Sequence, residues 1–152
     1  MVASIAGAKN VVATEQPELI PLLRTNIRRN FQEPYPIQAR ELSWGKAETK
    51  QFCNALTEQF DLILSCDCIY QPLYGDSWKL LAQTLDELCH RKANTFALVS
   101  VERRNEDGVN DFLEYVQSHT LLTCELISTV SKTRTIGEEG TRLEIYKLIA
   151  RE

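Results

Sequence analysis

Phe60-Asp61-Leu62-Ile63-Leu64-Ser65-Cys66-Asp67-Cys68-Ile69-Tyr70 is the stretch that decides the fold. After its one early acid it is nearly continuously apolar as far as Cys66, the pattern of a β-strand covered on both faces, as in parallel sheets. Downstream, Trp78, Leu81, Leu85 and Leu88 recur at spacings of three, four and three, which predicts an amphipathic helix. Thr95 to Val101 reads as another buried strand, and Asp107 to Ser118 as a helix around Phe112, Leu113 and Val116. Leu121 to Ser128 and Arg142 to Ala150 are two terminal strands with a polar loop between them, containing Gly137 and Gly140. With no helix between them, they are predicted to pair antiparallel.

Upstream, Ala47 to Gln59 is predicted helical with Phe52, Ala55 and Leu56 inward, and Gly45 separates it from a strand over Ile37 to Leu42. Pro34 and Pro36 close the unit before that strand. The unit itself is a short strand, Asn10 to Glu15, followed by a helix that Pro17 opens. In this helix Leu19, Leu22, Leu23, Asn26 and Ile27 share one face, with Arg24, Arg28 and Arg29 opposite. Strand and helix alternate throughout, so the expected class is α/β: a Rossmann-like, doubly wound, mostly parallel sheet with an antiparallel C-terminal strand.

Composition sets the frame. The 152 residues suit one domain, are 43% hydrophobic and 25% charged, and show no repeat or low-complexity tract. The net charge of -4 is spread among interspersed acids and bases, so no nucleic-acid footprint is expected. No apolar run reaches the ~20 residues of a membrane span. The odd count of five cysteines (Cys53, Cys66, Cys68, Cys89, Cys124) reads as free thiols in a reducing compartment. A soluble, cytoplasmic chain is therefore expected, with the nucleus as a second compartment. His90 and His119 do not make a metal set with Cys66 and Cys68, since zinc needs four convergent ligands.

Ligands of open parallel sheets sit beyond the carboxyl ends of the strands. Three places there stand out. Glu15 ends an apolar strand, where it could accept hydrogen bonds from both hydroxyls of a ribose, or simply favour the next helix's N-terminus. Trp44, in Glu41-Leu42-Ser43-Trp44-Gly45, could cover an adenine face or pack as tryptophans ordinarily do. Asp67 puts a carboxylate at the end of the most apolar strand and Tyr70 an aromatic hydroxyl three residues on; the acid is either paired and used, or a turn and helix cap.

Taken with Leu19-Ile20-Pro21-Leu22-Leu23, Asn26-Ile27 and the late strand Glu144-Ile145-Tyr146-Lys147-Leu148, these motifs resemble the seven-strand methyltransferases, in particular the small protein-lysine methyltransferases that modify chaperones and translation factors. The resemblance runs over nearly the whole chain, and its most specific element is Asp67-x-x-Tyr70. It implies S-adenosylmethionine as cofactor, with Glu15 on the ribose, Trp44 against adenine and Cys66 lining the adenine side through its backbone. Asp67 and Tyr70 would border the substrate lysine channel on the catalytic side, and the partner would be a protein. Glu15 departs mildly from the commoner aspartate. Arg103 and Arg104 resemble the basic strand end of relatives and are expected to have no role in catalysis.

One motif of that family is missing. Its Gly-x-Gly cofactor loop follows a first strand, but the six glycines here (Gly7, Gly45, Gly75, Gly108, Gly137, Gly140) form no such sequence. Met1 to Ala8 resembles the end of the helix after that loop, so the chain is expected to be a single, N-terminally incomplete domain over residues 1–152. The absent strand is central in the family. Either its two neighbours separate and expose apolar side chains, or they pair directly. The competing function is a non-catalytic protein-interaction module derived from a methyltransferase; a small-molecule methyltransferase is a third.

Overall fold

The computed structural model describes residues 2–56, 59–132 and 141–151. The loop around Gly137 and Gly140 lies outside them, as does the 57–58 part of the helix expected from Ala47 to Gln59. The chain divides into two compact units, Met1–Ser43 and Trp44–Glu152.

The first unit holds a short helix α1 (Val2–Ile5), β1 (Val11–Glu15), α2 (Ile20–Asn30) and β2 (Ile37–Glu41). The strands pair parallel with Val11 opposite Ile37 and Glu15 opposite Glu41. Pro17 stands in the 3₁₀ turn that leads into α2, where a missing N–H costs no helical bond. The buried positions of α2 are Ile20 and Ile27, whereas Leu19 and Leu22 are 46% and 58% exposed. Its inward face is thus set by the seven-residue step from Ile20 to Ile27, two turns of helix, rather than by the leucines that the sequence favoured.

In the second unit, α3 (Lys46–Asn54), β3 (Leu62–Cys66), α4 (Gln71–Tyr74), α5 (Trp78–Cys89), β4 (Phe96–Arg103), α6 (Val109–His119), β5 (Leu122–Lys132) and β6 (Thr141–Ala150) follow in order. The sheet runs β3-β4-β6-β5. β3 and β4 are parallel, and β6 is antiparallel to both β4 and β5. Three strands therefore share one direction and β6 opposes them, one place in from the edge. The Rossmann-like, mostly parallel sheet with an antiparallel C-terminal strand is present. The core of the unit joins α5 (Trp78, Leu81, Ala82, Leu85), α6 (Val109, Phe112, Val116) and the inward residues of β4 (Ala97, Val99, Val101). On β4 the buried residues alternate strictly, as one covered face of a strand requires. On α5 they fall on the predicted stripe.

The strand that opened the reading behaves differently. Among the described residues β1 pairs only with β2 and β3 only with β4, so β3 ends its sheet. Leu62 and Leu64 are 41% and 50% exposed. The expectation of a strand covered on both faces is corrected here: Ser65 is buried and Ile63 half-buried, but the two leucines stand in solvent.

Candidate functional site

At the end of β3 the backbone turns sharply. Asp67 takes a φ of 52°, a left-handed conformation that aspartate tolerates better than most residues. Its N–H donates to the Ser100 carbonyl at 2.7 Å, holding it against β4. This fixes where the carboxylate stands. Asp67 Oδ1 accepts the Glu102 backbone N–H at 3.2 Å, and Arg104 donates twice, Nη2 to Oδ2 at 2.8 Å and Nη1 to Oδ1 at 3.4 Å. Arg104 Nη2 also donates to Glu102 Oε2 at 2.5 Å. The guanidinium lies over the Tyr70 ring, its Cζ 5.0 Å from the centroid, within cation–π range. The hydrogen bond that Arg104 donates to Asp67, with Glu102 helping and desolvation opposing, raises the Arg104 pKa above its ordinary value.

Tyr70 is half-buried and immediately precedes α4, and its carbonyl accepts the N–H groups of Leu73 and Tyr74. Gln71 N–H donates to the Asp107 carbonyl at 3.0 Å, tying this segment to the turn before α6. An open depression borders Arg104 here, lined among others by Gln71, Arg103, Asp107 and Asn110. Asp67 and Tyr70, placed together by the sequence motif, do share one site; Arg104 and Glu102 join them.

The neighbouring arginines part company where β4 ends, Arg103 being its last residue and Arg104 lying just beyond it. Arg103 enters a second network: Nε pairs with Asp107 Oδ2 at 3.0 Å, while Nη1 donates to Glu144 Oε2 at 3.4 Å and Nη2 to Asn110 Oδ1 at 3.0 Å. Glu144 also receives the Tyr146 hydroxyl at 2.5 Å and Arg142 at 2.9 Å. Asp107 accepts the N–H of Val109 and of Arg104, which caps α6. Asp107 and Glu144 are both 4% exposed, so these charges are buried and fully paired. Desolvation, then the Glu144 contact, pushes the Tyr146 hydroxyl up to about 12.

The residues expected near a cofactor are distributed as follows. Cys66 is exposed at the end of β3, and its carbonyl accepts the Cys68 thiol at 3.4 Å. Trp44 is half-buried and packs against the core of the second unit. The glycine after it makes the sharp exit that the sequence suggested: Gly45 has φ 136°, its N–H donates to Thr84 Oγ1 at 2.8 Å, and its carbonyl accepts the Thr49 hydroxyl at 2.6 Å. Glu15 belongs to the first unit, half-buried, with Oε1 accepting the Gln16 N–H at 2.9 Å and Glu41 opposite it in register. Two carboxylates in register repel unless a donor lies between them. Among the described residues no group of three His, Cys, Asp or Glu side chains could hold a metal ion, and no helix is long and apolar enough to cross a membrane.

Sequence reasoning did not single out Glu102 or Asp107, and it named Arg104 and Glu144 only as parts of strand motifs, without their partners here. Only Asp107 carried a local signal, an acid directly before Gly108 and a helical run.

The pattern and the fold have known counterparts. The chain is 45% identical to secreted RxLR effector protein 48 of Plasmopara viticola, over 97% of this chain and 77% of that protein. It is 34% identical to a protein-lysine methyltransferase of Mus musculus, over 88% of this chain and 56% of that protein, so it spans little more than half of the mouse relative. In fold it is similar to precorrin-6y C5,15-methyltransferase of Geobacter metallireducens (TM-score 0.56, 13% identity, 93% of this chain and 66% of that one). It is also similar to an N-methyltransferase of Bradyrhizobium japonicum (TM-score 0.55, 16% identity, 95% and 75%). The family model described as lysine methyltransferase matches residues 1–119, and with that match the chain belongs to the lysine methyltransferase family.

Proposed function

We propose that this chain carries the substrate-facing part of an S-adenosylmethionine-dependent protein-lysine N-methyltransferase, and that the 152 residues alone hold the cofactor weakly. The observation that carries this reading is the pairing of Asp67 and Tyr70 at the carboxyl end of parallel strand β3, a carboxylate and an aromatic ring turned to the same cation. When bound, the cofactor supplies a methyl group on a sulfonium.

The residues of the chain handle the other reactant. A lysine side chain is protonated in water, with a pKa near ~10.4, so it must be drawn in, desolvated and lose a proton to solvent before its nitrogen can accept a methyl group. Asp67 attracts the ammonium and orients it, and Tyr70 forms an aromatic wall beside it. No side chain is assigned as a general base; alignment supplies most of the acceleration, as effective molarities for well-oriented groups allow. On the cofactor side, Glu15 suits a ribose because its Oε2 is not engaged by the Gln16 bond, Trp44 offers an indole for adenine, and Cys66 offers backbone. Each of these groups is, by its chemistry alone, of a kind that suits the adenosine half of the cofactor. The methionine half has no Gly-x-Gly to cradle it in this sequence, which is why weak binding is proposed.

The names of the mammalian relatives support a protein as substrate, chaperones and translation factors being the proposed targets. A cytoplasmic or nuclear place of work goes with five free cysteines, whereas the name of the Plasmopara viticola relative argues for export; cell fractionation decides. The exposed leucines of β3 favour a second reading, a non-catalytic module that binds a protein partner.

Two measurements test the first reading. Calorimetric titration of the 152-residue chain with S-adenosylmethionine is expected to give millimolar or weaker binding; micromolar binding would mean that another segment cradles the methionine. In a version extended by a strand and a Gly-x-Gly loop, Asp67→Ala should depress methyl transfer far more than cofactor affinity, and Trp44→Ala the reverse. Equal losses in both assays for both variants would refute the division of roles.

A further inference from the structure

The position assigned to a substrate ammonium is already filled by a cation of the chain itself. Arg104 sits between Asp67, its Nη2 2.8 Å from Oδ2, and the Tyr70 ring, 5.0 Å from its Cζ. Its third partner is Glu102 at 2.5 Å. We propose that Arg104 is a resident competitor that gates the site: an incoming lysine ammonium takes its place on Asp67 and Tyr70, and Arg104 withdraws onto Glu102. This rests on the reading of Asp67 and Tyr70 as the lysine-facing pair.

Charge and geometry both permit the exchange. Asp67, Glu102 and Arg104 together carry one negative charge, so a second cation neutralises the group and each carboxylate keeps a partner. The side chains of Arg104, Asp67 and Glu102 are 32%, 45% and 28% exposed, so no bare charge is buried when the guanidinium moves. Asp67 does not depend on Arg104 for its position, because the Glu102 N–H and its own bond to Ser100 hold it. Arg103 has no such freedom, locked between Asp107 and Glu144 with its side chain 18% exposed. The gate also sets selectivity. A guanidinium that binds the carboxylate at two points is harder to displace than an ammonium. A lone free cation is therefore a poor ligand, and a lysine presented by a protein that also binds elsewhere is favoured.

The test needs neither cofactor nor methyl transfer. The 152-residue chain and its variants are titrated with n-butylammonium, following the Tyr70 ring resonances. Arg104→Met, which keeps bulk and removes charge, should bind about tenfold more tightly, the size expected when one exposed ion pair and one cation–π contact no longer compete. Arg104→Lys, whose ammonium holds Asp67 at one point only, should bind more tightly than the parent but less tightly than Arg104→Met, and Asp67→Asn added to Arg104→Met should cancel the gain. Equal or weaker binding by Arg104→Met overturns the gate. The parent chain gives a second readout that no substitution can spoil: the Arg104 side-chain N–H resonance should move on saturation while that of Arg103 stays, and an unmoved Arg104 overturns the gate too. If Arg104→Met gains affinity but methyl transfer by the extended version survives Asp67→Ala, the gate stands and the lysine-methylation reading falls. If there is no gain while transfer still needs Asp67, the reading stands and the gate falls.

Discussion

The two units of this chain are built from the same strand-helix grammar but differ in how much they bury. Trp44–Glu152 holds a core of fifteen buried residues, whereas Met1–Ser43 contributes Ile20, Ile27, Ile37 and Leu42. A two-stranded sheet is marginal in water, and three or more strands with a packed face are needed for independent stability. The difference teaches that the pattern of elements and the strength of a fold are separate quantities. β1 and β2 are well-formed parallel strands, yet little apolar surface holds them, while β4 is stabilised from both its neighbours and its helices.

The largest predicted effect follows directly. Phe112 is 0% exposed in the second unit, and Phe112→Ala should cost about 3–5 kcal/mol of unfolding free energy by cavity formation. Ile27→Ala, at a 4% exposed site of the first unit, should cost about 2 kcal/mol or more in the amide protection of β1 and β2. Hydrogen exchange resolved by residue distinguishes the two. Loss of protection in β4 and β6 from Ile27→Ala, as large as from Phe112→Ala, would show that the two regions open together and would break the comparison.

The same contrast marks what could be read from sequence. Alternating strands and helices were legible because period-2 and period-3.6 patterns are local, and Asp67-x-x-Tyr70 was legible because it is contiguous. The exposure of Leu62 and Leu64 was not, since a continuous apolar run reports what a strand could bury and not what lies against it. Arg104 was dismissed in sequence because its partner Asp67 is 37 positions away, brought near only by the parallel register that sets Cys66 beside Ser100. Glu144 reads as a polar residue of an edge-like strand. Its burial becomes tolerable only when Arg103, 41 positions away, joins Arg142 and Tyr146, which flank it two residues to either side on β6.

A smaller effect sharpens the comparison at the start of the second unit. Gly45, with φ 136° and ψ 155°, occupies a region essentially reserved for glycine. A Cβ there would meet Glu48 Oε2 at 2.3 Å, but that atom ends a flexible side chain and can move, so backbone strain sets the cost. Gly45→Ala should lower stability by about 1–3 kcal/mol, less than Phe112→Ala. Chemical denaturation followed by Trp44 and Trp78 fluorescence measures it, and an unchanged midpoint would mean that the turn relaxes freely.

The smallest effect is a dependence on alkaline pH that arises at Tyr146 in the second unit. Folding raises the Tyr146 pKa from its ordinary 10.0 to about 12, chiefly by desolvation and then by the Glu144 contact. The folded state therefore keeps a proton that the unfolded chain releases, so this contribution is fully present below pH 10 and is lost as pH rises toward 12. At about pH 10.5 the loss from this residue should be on the order of 1 kcal/mol. Burial also raises Cys89 to about 12 and Cys124 to about 11, and raises Cys53, so the raw profile is shared among these groups. Comparing the parent with Tyr146→Phe isolates the tyrosine, because the phenyl ring keeps the packing and has no proton to lose. Phenylalanine should lower stability at neutral pH, where it deletes the hydrogen bond to Glu144, and the gap should narrow as pH climbs past 10. A gap that stays constant would show that the Tyr146 hydroxyl ionises alike in the folded and unfolded chain, and that the Glu144 network is more open to water than its 4% exposure implies.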